Sequence, residues 1–318
     1  MPVNNNKPHL WKQDVALSVE QYNSWFLNFA PLEYRNKRIE TTAKVQQALL
    51  HTTDFLHLTP AILETDPGVL PVLRMATAPP LARDRLIGLS GVDPNLVKSM
   101  EEGNLPPQMA LSKVAMQLQS ICDTLNEVLD RDISVWLDAK RQATQDERLQ
   151  ASMIVADRLC GALTNPIVRN VQEKRQLQMI ENYLIGLGYI KKSPSPGQPL
   201  AGMQPGTFCF WLNVPADRGD DTTVNITVDA VVQPKQVAPG ELPLLIEAKS
   251  AGDFTNTNKR RKEEAQKHTQ LIRTYGPDVR FILFLCGYFG PPYLGYEAAE
   301  GIDWVWEHRI SDLSFFGL

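Results

Sequence analysis

The hydrophobic positions of this chain follow two rhythms. Up to about residue 187 they recur at three- and four-residue spacing, as on one face of a helix; beyond Thr207 they alternate or run together, as in strands. Ser18-Val19-Glu20-Gln21 has the form of a capping box, which predicts a helix starting there and carrying Tyr22, Trp25, Phe26 and Phe29. Residues 36–57 predict a second helix, with Ile39, Ala43, Leu49, Leu50 and Leu56 among its apolar positions. After Pro79-Pro80, residues 81–100 predict helix, short turn, helix, with Asp93 as N-cap and Pro94 at the first helical position. Length and a glycine in the turn permit a DNA-binding helix-turn-helix, in which Asn95, Lys98 and Ser99 would face a major groove. An ordinary αα-corner is the plainer reading. Residues 111–129 form a strongly amphipathic pattern, 133–163 continue helical, and 167–187 predict a helix stopped at Gly188.

The second half reads differently. Residues 193–206 hold four prolines and predict a loop. Residues 207–214 alternate through Phe208, Phe210, Leu212 and Val214 and predict the first strand; 224–232 predict the next, with Asp229 on the face of Asn225 and Thr227. Residues 244–248 form a short, almost wholly apolar strand, and 259–275 a helix stopped by Gly276-Pro277. Residues 281–286 predict a buried strand, reached by a helical crossover and therefore parallel to its predecessor. A glycine-, proline- and aromatic-rich loop (287–293), a short helix (293–300) and an edge strand (304–306) close the chain. The expectation is an α/β protein: a helical N-terminal domain over residues 1–163, for support, dimerisation or DNA wrapping, then a mixed sheet flanked by helices over 164–318.

With 318 residues, 43% apolar and 21% charged, the chain can build a substantial core. The four cysteines are scattered without a CxxC pair, which predicts buried free thiols in a reducing compartment. The polar N-terminus and the lack of any long apolar run predict a cytoplasmic protein with no membrane partner. No histidine–cysteine spacing suits zinc, and neither a Walker nor a Gly-x-Ser-x-Gly string occurs.

Chemistry concentrates in one stretch. Asp229 stands near the end of one strand pattern, and Glu247, Ala248 and Lys249 at the end of the next; the 17 residues between Asp229 and Glu247 contain Pro234, Pro239, Gly240 and Pro243 and allow a hairpin return. Carboxylates at buried strand ends are costly unless paired or metal-bound. Two oxygen ligands, with the Ala248 carbonyl as a third, suit Mg²⁺. Lys249 would orient a water or neutralise developing negative charge. An ordinary strand-end ion pair is the competing explanation. From Lys249 to Tyr275, seven Lys/Arg face three Asp/Glu, a basic patch in a chain of net charge −4. Asn256, Asn258, Lys259, Arg260, Arg261, Lys262 and Lys267 are therefore candidate DNA contacts. A solvated helix face, with Glu263 and Lys267 as an i,i+4 pair, would account for the same charges.

The Asp229…Glu247-Ala248-Lys249 arrangement resembles the PD-(D/E)XK nuclease motif, with Val228 where that pattern often has proline. The longer strings from Ile246 to Glu264 and from Gly287 to Arg309 resemble the XamI-type restriction endonucleases. The resemblance implies a restriction-endonuclease-like fold and a type II enzyme that cuts both strands of a short palindromic DNA site with Mg²⁺, leaving 5′-phosphate and 3′-hydroxyl ends. It implies Asp229, Glu247 and Lys249 as the active-site trio, and a further acidic metal ligand on the first catalytic-domain helix, for which Glu173 is the candidate. It also implies a GTCGAC-like target and a companion DNA methyltransferase. A palindromic target predicts a homodimer. A nuclease acting on branched or damaged DNA, and a non-catalytic DNA-binding protein, are the alternatives.

Overall fold

The computed structural model describes residues 2–194, 199–219, 222–238, 240–255 and 257–318, with the backbone alone for 257–260. Its helices are α1 (Pro8–His51), α2 (Pro60–Thr65), α3 (Leu70–Met75), α4 (Arg83–Ser90), α5 (Pro94–Glu101), α6 (Leu111–Val128), α7 (Gln145–Gly186), α8 (Thr257–Tyr275) and α9 (Pro291–Ala299). Its strands are β1 (Ile190–Lys191), β2 (Thr207–Asp217), β3 (Thr223–Gln233), β4 (Leu244–Ala251), β5 (Arg280–Gly287) and β6 (Asp303–Trp306). The chain divides into a unit of residues 1–29 with 169–318 and a unit of residues 30–168. The sheet unit is thus discontinuous and includes the first 29 residues, which the sequence pattern assigns to the helical half.

The helical unit is built around Leu49, Leu63, Leu73, Leu86, Leu96, Leu118 and Trp136, all fully buried. Buried polar groups are paired. The Trp136 indole donates to the Asp54 carbonyl at 2.7 Å, and Arg148 grips the Asp54 carboxylate with two bonds of 2.7 and 2.8 Å. The α4–α5 corner forms as expected: Gly91 takes φ 64° at the end of α4, and the Asp93 side chain accepts from the Asn95 amide at 3.0 Å. Two expectations fail. Residues 133–144 are turns between α6 and α7. One helix runs unbroken to His51, where two were expected.

The capping-box reading fails for a related reason. α1 begins at Pro8, so Ser18 lies inside it, fully buried, and its hydroxyl accepts from the Gly287 amide at 2.7 Å. The side chain that would cap a helix instead satisfies a backbone donor at the end of β5.

In the other unit the six strands lie in the order β1-β2-β3-β4-β5-β6. β2, β3 and β4 are antiparallel neighbours; β1–β2, β4–β5 and β5–β6 are parallel. β5 is buried almost throughout, as expected of a central parallel strand covered on both faces. β6 is the sheet edge, and the N-terminal segment covers it: Asn4 donates to the Trp304 carbonyl at 2.7 Å and to Asp312 at 3.1 Å. Such cover protects an edge from pairing with other strands.

The β2–β3 ladder changes faces partway along. Its register steps from Phe210↔Ala230 to Leu212↔Val228 without pairing Trp211 to Asp229. Phe208, Phe210, Ala230 and Val232 pack into a core with Leu177, Ile180 and Leu184 of α7. Leu212, Val214, Ile226 and Val228 pack into another with Leu271 of α8, Phe281 and Trp304. Strict alternation would keep positions 208, 210, 212 and 214 on one face. Trp211, at φ 53°, breaks that alternation. The far half of the hairpin then reaches α8, where the Tyr275 hydroxyl donates to the Pro215 carbonyl at 2.8 Å.

Candidate active site

β3 and β4 pair through Ala230↔Ile246, so Asp229 and Glu247 are the next residues along the two strands. One Asp229 oxygen accepts from the Ala248 amide at 2.8 Å, which ties the carboxylate to β4. The Pro/Gly-containing connection forms the hairpin return that the sequence pattern allows. Glu247 is buried, and Lys249 is two residues further along the same strand face. The Lys249 ammonium lies 2.9 Å from Glu247 Oε1.

Two more charges come from α8, the crossover between β4 and β5. Lys267 Nζ donates to Glu247 Oε1 at 2.5 Å, and Glu264 Oε1 lies 3.2 Å from Lys249 Nζ, an ion pair rather than an aligned hydrogen bond. Glu264 is 1% exposed, which a lone carboxylate would not tolerate. The site is therefore an alternating chain of charges, Glu264–Lys249–Glu247–Lys267, with Asp229 beside it. From the opposite layer, the Gln176 amide of α7 donates to the Lys249 and Phe284 carbonyls, both at 3.3 Å, and fixes the backbone at this end of β4.

Burial, and then the Glu247 charge, push Asp229 up to about 6, against the pull of the Ala248 N–H and Lys249. Burial alone would lower Lys249, but Glu247 and Glu264 outweigh it and hold the ammonium charged. Burial raises Glu264. A buried carboxylate that resists ionising, as Asp229 does beside Glu247, is a natural seat for a cation. Glu247 Oε2 is also buried without a hydrogen-bond partner. The oxygen-only donors Asp229 and Glu247, with the Ala248 carbonyl at hand, fit a hard divalent ion.

Glu173 makes no hydrogen bond or ion pair with them among the described residues. α7 turns Gln172 and Gln176 into the protein, whereas Glu173 is half-exposed one position away. Among the described residues, no three His, Cys, Asp or Glu side chains form a metal-binding group.

The basic patch divides. Lys267 is spent on Glu247, so its ammonium points into the site and not toward solvent. Arg261 stacks on the Tyr296 ring, 3.6 Å from its centre, and Lys262 is exposed. Asn256 and the side chains of Asn258, Lys259 and Arg260 lie outside the described residues. In the helical unit, Asn95 and Lys98 are exposed beside a hollow of about 650 Å³ that Lys113 also lines. Glu264 was missed by sequence reasoning. Its signal was available: it falls three residues before Lys267 on the helix, so both reach β4 from one face.

Residues 53–306 match the family described as XamI restriction endonuclease. The chain is also 52% identical over 315 residues to the type II restriction enzyme SalI of Streptomyces albus G, covering 99% of each protein. No solved structure matches. A family match over most of the chain, joined to near full-length identity with a type II enzyme, makes this protein a member of the XamI restriction endonuclease family.

Proposed function

We propose that this restriction endonuclease hydrolyses DNA phosphodiester bonds with Mg²⁺ at the Asp229–Glu247–Lys249 cluster. The observation that carries the assignment is the Ala248–Asp229 hydrogen bond beside the Lys249–Glu247 ion pair, which holds two carboxylates and one ammonium at the join of β3 and β4. Asp229, Glu247 and the Ala248 carbonyl would hold the ion, which when bound supplies charge neutralisation at the scissile phosphate and a more acidic water. Glu247 would bind the ion through one oxygen, while its Oε1 steers Lys249. Lys249 stays protonated between Glu247 and Glu264 and offers its N–H groups to a phosphate oxygen or to the attacking water. Lys267 keeps Glu247 in place, and Glu264 sets the direction of the Lys249 side chain.

The products would carry 5′-phosphate and 3′-hydroxyl ends, and the target would be a short palindrome of GTCGAC-like sequence. Two such sites related by a two-fold axis would cut both strands, so the working form is a homodimer on double-stranded DNA. Exposed Lys262, with Lys259, Arg260, Asn256 and Asn258, supplies phosphate contacts, and Asn95 and Lys98 are further contacts from the helical unit. The enzyme acts in the bacterial cytoplasm alongside a DNA methyltransferase that protects the host sites. No described helix is long and apolar enough to cross a membrane.

Incubating unmethylated plasmid DNA with Mg²⁺ tests the reading. Discrete fragments with 5′-phosphate ends are expected, and sequencing their ends gives the site. Asp229→Ala should abolish cutting and leave binding intact. Structure-dependent nicks would indicate a branched-DNA nuclease, and shifted but intact plasmid a binding protein only.

A further inference from the structure

Trp211 is the residue of the β2–β3 ladder that the core does not explain. It is 49% exposed, whereas its strand neighbours Phe210 and Leu212 are buried. Its φ of 53° is one that bulky residues avoid and glycine accepts readily. It sits across from Asp229, at the position where both strands change faces. A strained backbone that holds a large aromatic ring out in solvent, on the strand paired with that of an active-site carboxylate, points to a contact made outside the fold.

Its surroundings indicate what that contact is. Trp211 and Phe210 line a hollow of about 310 Å³ with Lys191, Lys192, Ser193 and Pro194. The Lys191 ammonium is held by Glu181 at 2.7 Å and lies 4.9 Å above the Phe210 ring, so it forms a fixed wall. Lys192 is exposed and makes no ion pair among the described residues. One open ammonium beside one open indole face matches a sugar-phosphate backbone with its base, in which the cation takes the phosphate and the ring packs on the base or deoxyribose.

We propose that Trp211 and Lys192 form a DNA-contact subsite flanking the active site on the Asp229 side. The inference rests on the assignment of Asp229 to that site. The subsite grips the substrate strand without taking part in bond cleavage.

The test uses the full-length protein and a fluorescein-labelled duplex spanning one mapped cut site, in EDTA, so that binding is read without cleavage. Trp211→Gly should raise Kd about tenfold, and glycine accepts the backbone angle, so the loss reports the ring. Lys192→Gln should lower the slope of log K against log salt by about one. Trp211→Phe keeps an aromatic face; it should bind within twofold of wild type and lose most of the tryptophan fluorescence change that DNA produces. The proposal is overturned if Trp211→Gly and Lys192→Gln bind as wild type does, or if Trp211→Phe keeps the full fluorescence change. Cutting by Asp229→Ala would overturn the active-site assignment instead, and it is scored separately with Mg²⁺ and plasmid.

Discussion

Lys249 and Glu264 stand 3.2 Å apart, the first half-buried on β4 and the second closed to solvent on α8. Lys249 also has Glu247 as a partner at 2.9 Å, an oxygen that it shares with Lys267. Besides helping to hold the charge, Glu264 acts directionally: two carboxylates on different elements leave the ammonium one orientation. Glu264→Ala should therefore lower kcat with little change in KM or DNA affinity. Loss of a charged contact of about 1.5–3 kcal/mol corresponds to roughly ten- to a hundredfold in rate. Glu264→Gln, which keeps an oxygen at the same reach, should recover part of it. Steady-state cleavage of a mapped site reads both; a pure KM effect would contradict a positioning role.

Lys267 and Lys262 are five residues apart on α8 but should behave differently. The Lys267 ammonium is bonded to Glu247 at 2.5 Å, whereas Lys262 is exposed. Lys262→Ala should lower the salt slope of DNA binding by about 0.9, one phosphate contact. Lys267→Ala should leave that slope unchanged and reduce cleavage, because it frees Glu247. Equal slopes for the two variants would show that both or neither touches phosphate.

Glu297, on α9, is fully buried, and burial pushes its carboxyl up to about 8, against a pull downward from the Tyr293 hydroxyl. The unfolded chain releases this proton near 4.5. Between those values the folded protein holds a proton that the unfolded one does not, so stability falls as pH rises through this window. The loss is on the order of a few kcal/mol by pH 8. Glu297→Gln should flatten the dependence and make the protein more stable than wild type at high pH. Urea unfolding at pH 5 and pH 8.5 measures it, and parallel curves for the two proteins would refute it.

Gly287 closes β5 at φ 99°, and a Cβ there would meet the Ala251 carbonyl oxygen at 2.1 Å. Backbone strain costs about 1–3 kcal/mol, and the clash adds to it. Gly287→Ala should lower the melting temperature by several degrees and weaken the Ser18 contact that joins α1 to this strand end. An unchanged melting curve would mean that the strand end shifts without cost.

Much of the sheet unit is legible in local pattern. The apolar run at residues 281–286 could be nothing but a covered strand, and the proline- and glycine-rich link before Leu244 had to turn the chain back. That return set Asp229 and Glu247 at neighbouring positions on paired strands, as the spacing allowed. Asp93 as a cap was similarly local, since a cap and the amide that donates to it are two residues apart. The capping box at Ser18 failed because its polar side chain found a partner 269 positions away, which no window of sequence contains.

The sequence by itself determined which residues carry charge and which segments alternate, because these depend on neighbours a few positions apart. It therefore determined the two-strand acidic motif and the family to which the chain belongs. Only the tertiary structure decided how those charges are shared. Lys267 turned inward to Glu247, and Glu264 entered the core to hold Lys249. The physical reason is that a charge on α8 faces either solvent or β4 according to the packing angle of the crossover. Period and composition do not contain that angle. The same holds for Trp211, whose backbone reversal is set by two cores competing for one hairpin.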